Sequence, residues 1–429
     1  MSQLTQIFDN LFATEVLSKD YMQKSFYSKF EKLAESGELE SVRPQVYKLR
    51  SLFGKEGEMF STHIGTHPDF LDMEKLPSHQ YICSVFLDIS GSTKLGLKFP
   101  LEKVRLYKNA ILTTASEIFQ AFDGHIHRLQ GDAVFAFFGH QQMQKSDAII
   151  NALNASAVMQ AYNKNSLSGF FEENDLPPLK IRIGIDIGDD NQVLWSTYGL
   201  DGAGEVTTTS LHTDLAAKLQ NKAPKNQILL GENIFKYLDL PDEFLKDKVI
   251  QQDGQDVTKR YILEDSRLNT YYKMKIFKWE TYLKTFNSYY NDSKLSFSAP
   301  DDFEIICKYG EENGPVNDYK QNSYAIKKEL YAGFQLVLKG NLKFIKPSKI
   351  KWKVINRGYE ATKANVLEYY VDEYEDQYTC YRPIGFNVHH LMECRLYNSH
   401  GSLIGRSQFG IYVNDDKNSM KIIGVKEKA

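Results

Sequence analysis

The period of apolar and polar positions changes along the chain, and each change predicts a different kind of element. Over residues 1–77 apolar side chains recur at helical spacing, as in Leu4, Ile7, Phe8, Leu11 and Phe12, until "GTHPDF" breaks the pattern; this predicts a helical amino-terminal segment. Between 78 and 240 strand-like runs alternate with amphipathic ones: "YICSVFLDI", a helix over "PLEKVRLYKNAILTTASEIFQAF", the pair "HIHRLQ" and "AVFAFFG", a helix over "SDAIINALNASAVMQAYNKN", then "LKIRIGIDIG". In the first helix Leu101, Val104, Ile111, Leu112, Ala115, Ile118, Phe119 and Phe122 fall on one broad stripe. The order strand, helix, hairpin, helix, strand predicts an α/β or α+β domain with helices on one face of a sheet. Residues 241–300 are charged and aromatic without a clean period, and read as a connector containing some helix. From 301 to 429 short aromatic strands recur between turn residues ("YAGFQLVLKG", "KIKWKVINRG", "HHLMECRLYNSHG", "SQFGIYVND"), which predicts a small β-sandwich. Trp352 is expected in its core, with His390 and Glu393 on a strand face.

Composition narrows the function classes. With 429 residues, 42% hydrophobic and 25% charged, the chain is long enough for several ordinary globular units. A formal charge of -3 gives no electrostatic case for nucleic acid or an acidic membrane surface. Cys83, Cys307, Cys380 and Cys394 are scattered, with no zinc-ligand spacing, and no apolar run approaches the length of a membrane span. The opening "MSQLTQIFDNLFATEVLSKD" lacks the basic and apolar regions of a signal peptide. The expectation is a cytoplasmic protein.

Two aspartates stand out. Asp88 ends the first strand, in "VFLDISGST", where the chain leaves the sheet; Asp132 follows Gly131 in a Gly-Asp hairpin link. If the hairpin pairs beside the first strand, the carboxylates meet. Two hard oxygen ligands plus the backbone carbonyl of Ile89 suit Mg²⁺ or Mn²⁺ when a nucleotide's phosphates complete the coordination. The small residues Ser90, Gly91, Ser92 and Thr93 are expected to leave amides free to approach a triphosphate. Taken singly, a Gly-Asp is more often a turn and an Asp after a strand more often a helix cap.

The combination resembles the class III nucleotide cyclases. "VFLDISGST" is similar to the family's first metal motif, "RLQGDAVFAFF" to its second, and "IRIGIDIG" to the strand before the third block, while "EVTTTSLHTDLAAKLQNKAPKNQILLGENIF" fits the region of the transition-state residues. The resemblance covers about 78–240 and implies an α+β catalytic domain, with Asp88, Ile89 and Asp132 holding two divalent ions (Mn²⁺ or Mg²⁺) per site. The implied reaction is attack of a ribose 3′-hydroxyl on the α-phosphate of a nucleoside triphosphate. At the family's transition-state positions this chain has Asp214 and Lys218 in place of Asn and Arg; Lys218 keeps the positive charge without a bidentate fork. At the base-reading positions it has Arg128 and Thr207, which match neither purine pattern. Arg128 offers two donors for adjacent acceptors such as O2 and N3 of cytosine, whereas uracil presents a protonated N3. This pattern, with "KWKVINRGYEA" and "HHLMECRLYNSHGSLIGRSQFGIYV" resembling the AGS-C sensor module, is similar to the pyrimidine cyclases of the bacterial Pycsar antiphage system. Their products are cyclic CMP or cyclic UMP, which trigger downstream effectors. The resemblance implies a homodimer with composite active sites. Cytidine is the favoured base and uridine the alternative; a non-catalytic nucleotide sensor is the reading from a different class.

Overall fold

The computed structural model describes residues 43–415, apart from 174–176, 201–202, 268, 287–293, 300, 315 and 373–375, together with Met420. The apolar positions Leu4 to Phe12 of the expected amino-terminal helix lie outside the described residues. Helix α1 (Arg43–Leu52) is docked by Arg50, a buried guanidinium that donates to the Ala121 carbonyl at 3.0 Å and to Asp123 Oδ1 at 2.6 Å.

The amino-terminal domain contains strand β1 (Ile82–Ile89), helix α2 (Leu101–Ala121), strands β2 (Gly124–Gln130) and β3 (Ala133–Phe138), and helix α3 (Lys145–Tyr162). It continues through β4 (Ile181–Gly188), the hairpin β5 (Leu194–Leu200) and β6 (Ala203–Thr209), helix α4 (Leu211–Lys222), and strands β7 (Gln227–Gly231), β8 (Tyr261–Asp265) and β9 (Thr270–Phe277). The main sheet runs β8-β9-β7-β4-β1-β3-β2, antiparallel except where β7 lies parallel to β4. It therefore extends into the segment expected to be a connector. There the exposed, charged strands Lys248–Gln252 and Gln255–Lys259 carry no alternation that a periodicity reading could detect.

The period of two divides the sheet into two faces. On the first, Val85, Leu87, Ile89, Val134, Ala136, Ile183 and Ile185 pack with Ile111, Ala115 and Phe119 of α2 and with α3, which is buried nearly all round. Of the stripe expected on α2, Leu101 at the first turn is exposed. The second face also carries a helix, contrary to the one-face expectation. Gly184 points its missing side chain at α4, where a Cβ would come within 2.1 Å of the Gln220 nitrogen. Gly184 of "IRIGIDIG" thus reflects close helix-on-strand packing. Asp186, on the same face and fully buried, accepts from Tyr272 Oη at 2.7 Å and lies 2.9 Å from His212 Nδ1, fixing the start of α4.

The carboxy-terminal module is the expected sandwich. One sheet pairs β10 (Phe303–Gly310), β11 (Val316–Tyr319), β12 (Tyr331–Leu338) and Thr379–Pro383. The other is built on Lys349–Ile355, Val388–Tyr397 and Leu403–Val413. Trp352 is fully buried in the core, its Nε1 donating to the Gln377 carbonyl at 3.0 Å. Glu393 is buried on a strand and held by Arg395, Arg406 and Gln408; His390 is buried against the backbone of Arg357 and Phe386. Both are fully engaged in structural bonds.

Candidate active site

Alternation places Ser84, Phe86 and Asp88 on the second face, away from the long helices, and the β1–β3 register sets Asp88 opposite Ala133. Asp132 is thus the next residue along the neighbouring strand end, and its carbonyl accepts from Ile89 N at 3.3 Å. Both turns need the left-handed region: Gly91 has φ 79° and Gly131 φ 65°, values that a Cβ disfavours. The two carboxylates feel each other. Asp88 is held above the usual carboxylate range, by burial first and by the Asp132 charge next among the raising causes, while Arg182 and Gln220 pull it down. Mutual repulsion of two hard oxygen donors is relieved by a divalent cation, so the pair fits one. Among the described residues no group of three or more His, Cys, Asp or Glu side chains could hold a metal ion.

Arg182 was not singled out in the sequence. It stands on β4 directly opposite Asp88 on β1, bonds Asp88 Oδ2 with one guanidinium nitrogen, and donates to the Asn221 carbonyl at 3.0 Å with another. The signal lies in the register of two strands 94 residues apart, which no local pattern records. The loop after β1 differs in two details from expectation. The Ser90 amide is committed to the Lys180 carbonyl at 2.7 Å and is not free. The Ser92 hydroxyl donates to Asp132 Oδ2, bracing that carboxylate. Gly91 opens the 3₁₀ turn Ser92–Leu97, whose first amides have no partner within their own helix.

Asp214 and Lys218 are exposed one turn apart on α4, whereas Leu215, Ala216 and Leu219 face inward. Among the described residues no ion pair joins them. Arg128 and Thr207 sit elsewhere on the second face: Thr207 opposite Ser196 in the β5–β6 hairpin, Arg128 on β2 in an ion pair with Glu205. Trp195 anchors the hairpin, packed on Phe70, His67 and Phe137. None of Arg128, Thr207, Asp214 or Lys218 makes a hydrogen bond or ion pair with Asp88 or Asp132 among the described residues. A polar cavity of about 490 Å³, lined by Tyr81, Lys145 and Asp190, lies at the other end of β1 and contains none of these groups.

A carboxylate pair at adjoining strand ends, with a helix bearing a cation on the same face of a mixed sheet, suits the chemistry of a nucleotide cyclase, and the chain is an enzyme of that class. Residues 277–414 match the Adenylyl/Guanylyl and SMODS C-terminal sensor domain. A cytidylate cyclase of Staphylococcus aureus is 47% identical over 425 residues, 98% of this chain and 99% of that protein. One from Escherichia coli is 37% identical over 333 residues, 74% of this chain and 69% of its own length. The chain belongs to the cytidylate cyclase family. Among solved structures, the adenylyl cyclase CyaB from P. aeruginosa is 20% identical, with 46% of this chain and 94% of that one covered at a TM-score of 0.38. The sensor-domain match begins at Phe277, within the stretch expected to be a connector. No described helix is long and apolar enough to cross a membrane.

Proposed function

We propose that this chain is a cytidylate cyclase converting CTP to 3′,5′-cyclic CMP and pyrophosphate. The observation that carries the reading is the meeting of Asp88, Asp132 and Arg182 at one end of the sheet, in a chain 47% identical to a cytidylate cyclase over nearly its whole length. The 3′-oxygen gives up its proton, which ends on the released pyrophosphate, and bonds the α-phosphorus as the bond from that phosphorus to the bridging oxygen breaks. Two divalent ions, Mg²⁺ or Mn²⁺, supply acidification of the hydroxyl and neutralisation of phosphate charge when bound. Asp88, Asp132 and the Ile89 carbonyl hold them. Gly91, Ser92 and Thr93 offer first-turn amides to the phosphates, while Ser90 shapes the turn. Arg182 adds a guanidinium beside the polyphosphate. Lys218 brings a point charge to the crowded α-phosphorus, and Asp214, one turn before it, orients Lys218 or a water. Arg128 and Thr207 read the base.

In the same reading the site is composite, with the ion-binding residues from one copy and Arg128, Thr207, Asp214 and Lys218 from the other. The sensor domain supplies the input, and the cyclic nucleotide is the second messenger to a downstream effector in antiphage defence. Mass spectrometry of products from the four nucleoside triphosphates with Mn²⁺ tests the reading: cyclic CMP is expected, and cyclic UMP alone would move the assignment to uridine. No cyclic product from any of them would overturn it in favour of a nucleotide sensor. Mixing Asp88→Ala with Lys218→Ala protein is expected to restore activity through one intact site per heterodimer. Failure to rescue at every ratio would eliminate the composite arrangement.

A further inference from the structure

We infer that Glu205 is a specificity-determining residue that accepts the 4-amino group of cytosine, beside Arg128 donating to N3 and O2. The inference rests on the cytidylate cyclase reading and deepens it.

A β-bulge creates the arrangement. On β2, His125 pairs with Phe137 and Ile126 with Ala136, but the next pair is Arg128 with Phe135, leaving His127 as the extra residue. Strict alternation would send Arg128 to the side of Ile126, into the core. The bulge instead sets His127 and Arg128 together on the second face, the side of Phe135 and Phe137. There Glu205 Oε1 binds an Arg128 nitrogen and lies 3.3 Å from His127 Nε2. Thr207, two residues along the same strand, shares the side of Glu205. Arg128 and Glu205 are 42% and 46% exposed, so a ligand can reach both.

His127 adds an independent sign of a missing donor. Its Nδ1 bonds the Gly65 carbonyl at 3.0 Å, which requires the proton on that nitrogen. Burial holds the ring's pKa low, so the neutral ring turns the lone pair of Nε2 toward Glu205, and among the described residues that buried nitrogen has no hydrogen-bond partner. Two acceptors therefore lie side by side next to one cation. An exocyclic amine brings two N–H groups.

The chemistry separates the pyrimidines. Cytosine presents a donor at C4 and acceptors at N3 and O2, complementary to a carboxylate beside a guanidinium. Uracil reverses the first two: O4 would face the carboxylate and N3–H the guanidinium. The pair thus selects by attraction and by repulsion together.

The test is kcat/KM for CTP, UTP and the pyrimidin-2-one riboside triphosphate, which lacks the 4-amino group, using wild type, Glu205→Gln and Glu205→Ala. Wild type is expected to favour CTP over the other two. In Glu205→Ala the CTP-to-pyrimidinone ratio should fall at least about tenfold, the scale of one good base contact. Glu205→Gln, whose amide can offer N–H to O4, should shift turnover toward UTP. Wild type using CTP and the pyrimidinone equally well would overturn the proposal without any variant. So would variants that slow all three substrates alike, which would mean that Glu205 only props Arg128. If wild type makes no cyclic CMP, the cyclase reading itself fails, a separate outcome.

Discussion

Replacing Gly184 by alanine would test whether the placement of helix α4, beyond the identity of its side chains, sets the rate. The added Cβ would lie 2.1 Å from the Gln220 nitrogen, 2.3 Å from the Ala216 carbonyl oxygen and 2.8 Å from Gln220 Cα. All three are backbone atoms, so no rotamer change relieves the contact, and the helix must retreat as a body by more than about an ångström to reach ordinary van der Waals distance. The outer side of α4 carries the exposed Asp214 and Lys218, so it can lift without compressing another layer. The stability cost should therefore stay within about 1–3 kcal/mol, the usual range for overpacking. Rate should suffer more. The same shift displaces Lys218 and Asp214, and it moves the Asn221 carbonyl that anchors Arg182 beside Asp88. A displacement of about 1 Å in a positioning element costs about 100-fold. The assay is pyrophosphate release from saturating CTP with Mn²⁺, alongside thermal melting of the full-length protein. The expected result is one cooperative transition, lower by several degrees, with kcat down about 100-fold. A kcat within about threefold of wild type, with the melting temperature lowered as expected, would refute the argument that α4 placement governs catalysis.

Acid stability follows from His67 and His125, whose burial pushes their pKa values down from 6.5 to about 3 and about 4. Above pH 6.5 both are neutral in either state and their contribution is complete; below it the unfolded chain takes up protons that the folded one refuses. Stability in urea melts should fall by up to about 1.4 kcal/mol per pH unit for each histidine, from pH 6.5 down toward the folded values. His67→Gln should flatten that slope, and an unchanged slope would assign the acid sensitivity elsewhere. The junction of the two modules gives another prediction. Asn154 on α3 accepts from Tyr282 Oη at 2.6 Å and donates to the Asn322 carbonyl at 2.8 Å; the Asn322 side chain in turn meets His389 Nε2 at 2.9 Å. Asn154→Leu would remove both bonds, leaving the buried Asn322 carbonyl without this donor and Tyr282 with Tyr412 alone, and should cost about 1–3 kcal/mol. An unaltered melting temperature would mean that the network contributes nothing net to stability.

Much of the catalytic domain was legible locally. The alternation of "VFLDI" put Asp88 off the core face, and the Gly-Asp of the β2–β3 link marked the hairpin that carries Asp132 beside it. The aromatic strands after residue 301 formed a sandwich around Trp352 as their turn spacing implied. The strands between 245 and 265 were missed because most of their residues are partly or fully exposed, so no burial period marks them, whereas Thr270–Phe277 does alternate buried Tyr272, Met274 and Ile276 with two lysines and was overlooked. The second-face position of α4 was missed for a different reason: Gly184 is informative only once the helix above it is known.

The sequence by itself determined which residue types can do the chemistry and, where a strand pairs without a bulge, the side on which each lies, because backbone geometry fixes a period of two along a regular strand. It also fixed the turns, since Gly91 and Gly131 occupy backbone conformations that other residues resist. Only the tertiary structure decided which of those residues meet. Arg182 reaches Asp88 across 94 residues of chain, and one bulge turns Arg128 from the core toward Glu205. Both depend on register between segments remote in sequence. Register is set by the fit of whole faces against each other, and a shift of one residue would send every side chain the other way.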